Sequence, residues 1–235
     1  EVAQVQTLLW LGGRVRSLSS PPYNAHFDTH KSVKYLGIII DDKLGWSDHI
    51  NNIKTKISRG VGALYRLKNL IPHQTLRSVY YALIHCYLIY GILVWGPAAK
   101  KHLQKLQVLQ NRAIRILCRK SRYENCNSMY RSVRILKVED IFKFEVMKFM
   151  HSYHQGELPL YFDNLFKIPS DTHQHHTRFS SNLSLSVQHH STSLVQNSIS
   201  FIGVNVWNKL PPNLRNLDSC AFKKQCFHSL ISNYR

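Results

Sequence analysis

Residues 46–70 read WSDHINNIKTKISRGVGALYRLKNL. Trp46, Ile50, Ile53, Ile57, Val61 and Leu64 recur at steps of three and four, the spacing that gathers apolar side chains on one stripe of an α-helix. Ser47 stands where an N-cap belongs, so the pattern predicts an amphipathic helix running to about Leu70. Its other face carries Lys54, Lys56, Arg59, Arg66 and Lys68. A helix of this kind gains most of its stability by burying its stripe against other elements, so the flanking sequence must supply a cover.

Downstream, Pro72 marks the start of a second helix, and Leu76, Val79, Tyr80, Leu83, Ile84 and Tyr87 keep the apolar spacing up to Gly96-Pro97. The stretch Val79 to Trp95 holds no Lys, Arg, Asp or Glu over 17 residues. That is short of the ~20 residues a bilayer span needs, and His85 and Gly91 interrupt it, so it reads as a core helix buried on most sides. A third helix, 98–120, turns Leu103, Leu106, Leu109, Ala113, Ile114 and Leu117 inward and carries Lys100, Lys101, Lys105, Arg112, Arg115 and Arg119 near or on its flank. After a loop at 123–127, Lys137-Val138-Glu139-Asp140 opens a helix with acids in its first turn. Ile141, Phe144, Phe149 and Tyr153 then lead to Gly156 as its stop. Residues 170–200 contain nine serines and five histidines with few large apolar groups, a loosely ordered connector. Order resumes over 201–217, and Ser219 caps a last short helix bearing Phe222, Cys226 and Leu230.

Upstream the chain reads as extended. Gln6 to Leu11 is a short apolar run closed by Gly12-Gly13, and Ser19-Ser20-Pro21-Pro22 adds a second break in the chain. Ser32 to Ile40, rich in β-branched and aromatic residues and ended by Asp41-Asp42, reads as a buried strand. The two runs predict a hairpin, which needs a partner surface because an isolated one is marginal in water. The expected architecture is mainly α: a helical bundle preceded by a short β-hairpin, with a Ser/His-rich connector and a small C-terminal helical segment. The expected divisions are 1–45, 46–125, 126–169, 170–200 and 201–235.

The 235 residues include 31 Lys+Arg against 13 Asp+Glu, a formal charge of +18, with 44% hydrophobic and 11% aromatic residues. So apolar a chain has a core to bury and is no basic disordered tail. Its charge implies a polyanionic partner, nucleic acid rather than a membrane, because aromatics are interleaved with the basic residues. Between Ala98 and Lys148 there are 13 Lys+Arg and four Asp+Glu, a net +9, half the excess in about a fifth of the chain. The five cysteines are odd in number and form no C-x-x-C pair, which argues against a disulfide framework or a zinc ribbon. With no recognisable leader, an intracellular setting is expected, nucleus or cytoplasm undecided, and Glu1 in place of methionine suggests a piece of a longer polypeptide.

Asp48 and Glu124 are the only acids between Lys43 and Leu136, so Lys54, Arg59, Arg66, Arg112, Arg115 and Arg119 are candidates for sequence-blind phosphate contact rather than an ordinary mixed-sign surface. Asp41-Asp42 is a poor metal site, because two-metal nucleotidyl transfer needs carboxylates from a tight turn between strands and a separate third position, whereas this pair follows the continuous run Ile38-Ile39-Ile40. It reads as a turn or a solvated strand end. His173, His175, His176, His189 and His190 lack a companion cysteine or an i, i+4 pair on a credible helix, so a solvated loop is the expectation. Nothing supports nucleophilic catalysis or a phosphate-cradling glycine loop. Trp207-Asn208-x-Leu210-Pro211-Pro212 reads as a packing anchor followed by a turn.

Val33-Lys34-Tyr35-Leu36-Gly37-Ile38-Ile39-Ile40-Asp41, followed by Leu44-x-Trp46-x-x-His49-Ile50, resembles the stretch after the catalytic palm in reverse transcriptases of non-LTR retrotransposons, particularly jockey-like elements. Further segments occur in the family's order: Gly62-x-Leu64-x-Arg66-Leu67, Leu88-x-Tyr90-Gly91-x-x-Val94-Trp95-Gly96, Leu106-x-x-Leu109-Gln110-x-Arg112-Ala113-x-Arg115 and Leu136-x-Val138-x-Asp140-Ile141. His176-Thr177-Arg178, Gly203-x-x-x-Trp207-Asn208-x-Leu210-Pro211 and Phe222-Lys223-Lys224 complete the series. The resemblance implies a thumb and C-terminal region whose basic helices grip a template–primer duplex, RNA–DNA or DNA, made on retrotransposon RNA. It implies a primer-grip role for Lys34, Tyr35 and Gly37; from the residues alone, Tyr35 as core and Gly37 as a bulge is an equal reading. The family's catalytic carboxylates lie on an aromatic-Ala-Asp-Asp turn and an earlier aspartate of the palm. Neither occurs here, so no catalytic or metal residue is assigned, no cofactor is expected on this chain, and magnesium is expected only with a palm on the N-terminal part. The family's lysine-threonine pair is matched only by Gln6-Thr7. The alternative is a stand-alone or relic basic helical nucleic-acid-binding protein without enzymatic activity.

Overall fold

A computed structural model describes residues 32–121, 123–162, 165–166, 184–187 and 191–234 of the chain. The amphipathic stretch forms α1 (Ser47–Leu67), with Ile50, Ile53, Ile57, Val61 and Leu64 buried as their spacing predicts. Its start is built differently from expectation. Trp46, in the left-handed region at φ 63°, is the N-cap and offers no side-chain cap. Asp41 closes the approach instead: its Oδ2 accepts the Gly45 N–H at 2.8 Å and its Oδ1 the Trp46 N–H at 2.9 Å.

The hairpin lies wholly within the run expected to be one strand. β1 (Ser32–Tyr35) and β2 (Ile38–Asp41) pair antiparallel, Ser32 opposite Asp41 and Tyr35 opposite Ile38. Leu36 at φ 46° and Gly37 at φ 82° make the two-residue turn, whose paired positive φ angles match the twist of the strands they join. Gly37 is therefore a turn residue and not a bulge. The run Gln6 to Leu11, the expected partner strand, lies outside the described residues. Ile38 is buried, and the Ile39 N–H donates to His49 Nδ1 at 3.2 Å, which docks the hairpin on the first turn of α1.

α2 (His73–Tyr80) comes directly after Pro72, but no single helix reaches Trp95. A π-helical turn occupies Tyr81–His85, α3 spans Cys86–Ile89, the chain breaks at Tyr90-Gly91 with Gly91 at φ 63°, and α4 spans Ile92–Trp95. Leu76, Tyr80, Ile84 and Leu88 are all fully buried at a spacing of four. In a straight α-helix that spacing drifts by about 40° per step, and one wider turn brings the row back onto the core. The segment is consequently not buried on most sides, since Tyr81, Leu83 and Tyr90 are exposed. Among the described residues no helix is long and apolar enough to cross a membrane.

The remaining helices are α5 (Lys100–Leu117), α6 (Asn127–Val133), α7 (Val138–His154), α8 (Ser193–Gln196), α9 (Ile199–Asn208), α10 (Pro212–Arg215) and α11 (Ser219–Ser232). α6 had no expected counterpart, and α8 with the start of α9 falls inside the stretch read as a connector. The cap of α11 is Asp218, one residue ahead of Ser219, accepting from the Cys220 and Ala221 N–H groups at 3.0 and 3.2 Å. The mainly α architecture with a short hairpin and a C-terminal helical segment is present.

Two apolar cores form. The first packs α1 to α6 with the hairpin around Leu64, Tyr80, Leu88, Trp95, Leu106 and Ile114. The second packs α9 and α11 around Met150, Val204, Trp207 and Phe222. α7 runs through both, Val138 and Ile141 in the first, Val146 and Met150 in the second.

Candidate nucleic-acid interface

α1 and α5 lie side by side and run in the same direction. Near their starts Lys105 Nζ donates to Asn51 Oδ1 at 3.4 Å, and past their ends Arg119 Nη2 donates to the Lys68 carbonyl at 3.2 Å. At 1.5 Å per residue those tie points are about 20–25 Å apart, comparable with some six or seven phosphate steps of ~3.4 Å along one strand.

Along this seam Lys101, Lys105, Arg112 and Arg119, all exposed, recur at intervals of four, seven and seven. The first two intervals return to one face of α5 within about 40°, and Arg119, past the helix end at φ 52°, is held at the seam by its bond to the Lys68 carbonyl. Lys54 lies one turn beyond Asn51 on the neighbouring flank of α1, also exposed. The ion pairs among the described residues are Lys120–Glu124 at 3.4 Å, Lys143–Asp140 at 3.0 Å and Lys148–Glu145 at 2.7 Å. None involves a cation of the seam. Burial, and next the Lys105 and Lys101 charges, lower the pKa of His102 from its ordinary value.

The nine residues singled out from sequence divide into four groups. Lys54, Arg112 and Arg119 are brought together on the seam. Arg59 and Arg66, seven residues apart, share the outward crest of α1 with Asp48, and both are exposed. Arg115 is half-buried and turned away: its Nε donates to the Glu124 carbonyl at 2.9 Å and fixes the loop after α5. Lys34, Tyr35 and Gly37 belong to the hairpin, which docks through His49, about 200° around α1 from Asn51. Lys34 is exposed, Tyr35 is half-buried against the first core, and the Tyr90 hydroxyl donates to the Leu36 carbonyl at 2.6 Å beside Gly37.

Lys101 and Lys105 were not singled out from sequence, although their spacing to Arg112 carries the signal. At the C-terminal end of the seam Lys68 and Tyr65 were missed too, because one reads as a flanking charge and the other as an isolated aromatic. Lys68 Nζ sits 4.4 Å from the centre of the Tyr65 ring. Next to them opens a cavity of about 720 Å³ lined by residues that include His73, Cys118, Arg119, Lys120, Ser128 and Ser132.

Asp41 has both carboxylate oxygens engaged by backbone N–H groups, and among the described residues no group of three or more metal-ligating side chains gathers. His173, His175, His176, His189 and His190 lie outside the described residues. All five cysteines are free. Trp207 is fully buried, as expected of a packing anchor. Asn208 beside it clasps residue 185 from both sides, accepting the Leu185 N–H at 3.0 Å and donating to its carbonyl at 2.8 Å.

No family model matches the chain, and no solved structure matches it. It is 32% identical, over 125 residues and 52% of its length, to the RNA-directed DNA polymerase from mobile element jockey of Drosophila melanogaster, of which the match covers 14%. It is 32% identical over 116 residues to the probable RNA-directed DNA polymerase from transposon BS of the same fly, covering 48% of this chain and 13% of that one. Against the probable RNA-directed DNA polymerase from transposon X-element, again of Drosophila melanogaster, identity is 25% over 126 residues, covering 52% and 13%. Over about half its length the chain is thus similar to a region of jockey-like RNA-directed DNA polymerases, as its motifs suggested, and it spans about one seventh of those relatives.

Proposed function

We propose that this chain is the duplex-gripping portion of a mobile-element RNA-directed DNA polymerase, holding template and primer for a catalytic palm carried elsewhere on the polymerase. The observation that supports this reading is the row Lys101, Lys105, Arg112 and Arg119 beside Lys54, exposed and outside every ion pair of the described residues. Cations so placed meet phosphates by displacing condensed counterions, which gives affinity without regard to base sequence and a steep dependence on salt. Arg59 and Arg66 on the crest of α1 extend the positive surface. Arg115 acts as a positioning residue, through the loop it holds. The hairpin residues Lys34, Tyr35 and Gly37 sit on the opposite flank of α1 and take no part in the seam. Nucleotidyl transfer belongs to the palm carboxylates and their magnesium ions, and no step of it is assigned to residues of this chain.

Binding of the chain to an RNA–DNA hybrid across a salt series tests the reading. Each phosphate contact contributes a slope of roughly 0.9 to log K against log salt on B-form DNA, and a hybrid should respond comparably. The double substitution Lys105→Ala with Arg112→Ala is expected to lower the slope by about 2, and to do so equally for unrelated sequences. A flat plot for the unaltered chain, or losses that depend strongly on sequence, would overturn the proposal.

A further inference from the structure

The two ends of the seam differ. At its start Lys105 and Asn51 close it with a polar contact between side chains. At its far end stands an aromatic ring: Tyr65 is 60% exposed, with Lys68 Nζ over it at 4.4 Å and no other ring packed against it among the described residues. One face of that ring is held by the cation, and more than half of Tyr65 is open to solvent. Arg119 donates to the Lys68 carbonyl, which brings a second basic residue to this end of the seam, and it lines a cavity together with Lys120, His73, Ser128 and Ser132. Cations beside an open aromatic face are the chemistry that takes a nucleotide with its base free, the base stacking and the phosphate lying between the charges. A paired base inside a duplex has both faces covered and cannot use such a ring.

We infer that the C-terminal end of the α1–α5 seam is a site for an unpaired nucleotide, whose base stacks on the exposed ring of Tyr65 while its phosphate lies between Lys68 and Arg119. This deepens the proposed grip on a duplex and rests on it: the seam takes the paired stretch and Tyr65 the first base beyond it. Lys68 serves the site twice, by orienting the ring and by meeting the phosphate. Being on the surface, Tyr65 can be replaced without opening the core.

The full chain is titrated with three labelled ligands: a blunt RNA–DNA hybrid, the same hybrid with a short single-stranded overhang, and that overhang built from abasic units, which keeps the phosphates and removes the bases. A stacked base contributes ~1–3 kcal/mol, so the base-bearing overhang is expected to bind roughly tenfold more tightly than the abasic one. Tyr65→Ala should abolish that preference, whereas Tyr65→Phe should retain it. Salt-dependent binding with no preference for bases over abasic units, or a preference that survives Tyr65→Ala, would overturn this inference and leave the duplex grip standing. Failure of all three ligands to bind in a salt-dependent way would overturn the grip and this site with it.

Discussion

His49 shows how one buried group couples two parts of the molecule. Its Nδ1 accepts the Ile39 N–H, its Nε2 is buried without a hydrogen-bond partner, and its ring packs edge-on to Trp95. Burial, and then the Lys56 charge, lower its pKa to about 4 from an ordinary value of 6.5. The folded state therefore needs the neutral ring, while the unfolded chain takes up a proton as pH falls below about 6.5. The contribution of this site to stability is complete above that pH, declines as pH drops towards about 4, and changes no further below it. His85 and His154 are held low by burial as well, so part of any acid sensitivity is theirs. The measure is the difference between the unaltered chain and His49→Asn, which keeps an acceptor and cannot titrate: urea midpoints tracked from pH 7 to pH 4 should fall less in the variant. Parallel falls would show that the imidazole is not the sensor. Nothing at Asp41, Trp46 or Asp218 in the sequence distinguishes a cap from a solvated acid or a core aromatic. A cap depends on φ and ψ, which is why Ser47 and Ser219, the more usual capping residues, were expected in their place.

Between helices, what holds α2, α5 and α6 in register is a polar cluster inside an apolar core. Gln110 is fully buried; its Nε2 donates to the Tyr80 hydroxyl at 3.1 Å and the Leu136 carbonyl at 2.8 Å, while its Oε1 accepts from the Tyr130 hydroxyl at 3.1 Å. Gln107 extends the cluster, donating to Tyr130 at 2.8 Å and accepting the Val138 N–H at 3.0 Å at the start of α7. Every arm of Gln110 ends on a different element, so Gln110→Leu strands a buried carbonyl and a buried hydroxyl at once. The expected loss is about 2–3 kcal/mol, measured as a fall in urea midpoint at unchanged m-value. A cost below about 0.5 kcal/mol, the range of ordinary surface changes, would mean that water replaces the side chain. The element pattern itself was largely legible: the stripes of α1 and α5 lie close to where spacing put them, because a row at three and four residues has one helical solution, whereas in α7 only Ile141 of the expected row is buried and Val146 and Met150 take the core. Gln110 was legible only as an interruption of such a row. The π-helical turn was not, since Leu76, Tyr80, Ile84 and Leu88 also satisfy helical spacing, and what bends their path is packing against α1, where a Cβ on Gly60 would come within 2.8 Å of the Leu83 carbonyl. The hairpin was expected, but its turn was not placed, because Leu36-Gly37 is not one of the usual turn pairs.

Across the whole molecule, labour is divided unevenly between two cores, with the cationic seam on the first and the Trp207 anchor in the second. The seam was half legible: spacing sets Lys101, Lys105 and Arg112 on one face of α5, but that this face borders Lys54 required knowing that α1 and α5 run parallel, a long-range fact that no local pattern carries. The linkage of the cores was hidden for the same reason. α7 and α11 thread both: Phe222 and Cys226 belong to the second, Leu230 and Ile231 to the first. Tyr234, just past α11, donates to Asp140 at 2.7 Å and accepts the Lys137 N–H at 2.9 Å, fastening the end of the described chain to the start of α7. Because two helices are common to both cores, neither can melt without unseating part of the other. Trp207→Ala, which empties the centre of the second core, is therefore expected to cost about 3–5 kcal/mol and to lower one common thermal transition. Amide exchange in α1 and α9 should rise together in the variant. Below the transition its affinity for an RNA–DNA hybrid and its salt slope should match those of the unaltered chain, since Trp207 belongs to the second core and the seam helices α1 and α5 to the first. Early exchange confined to α9, with α1 still protected, would show instead that the second core opens on its own.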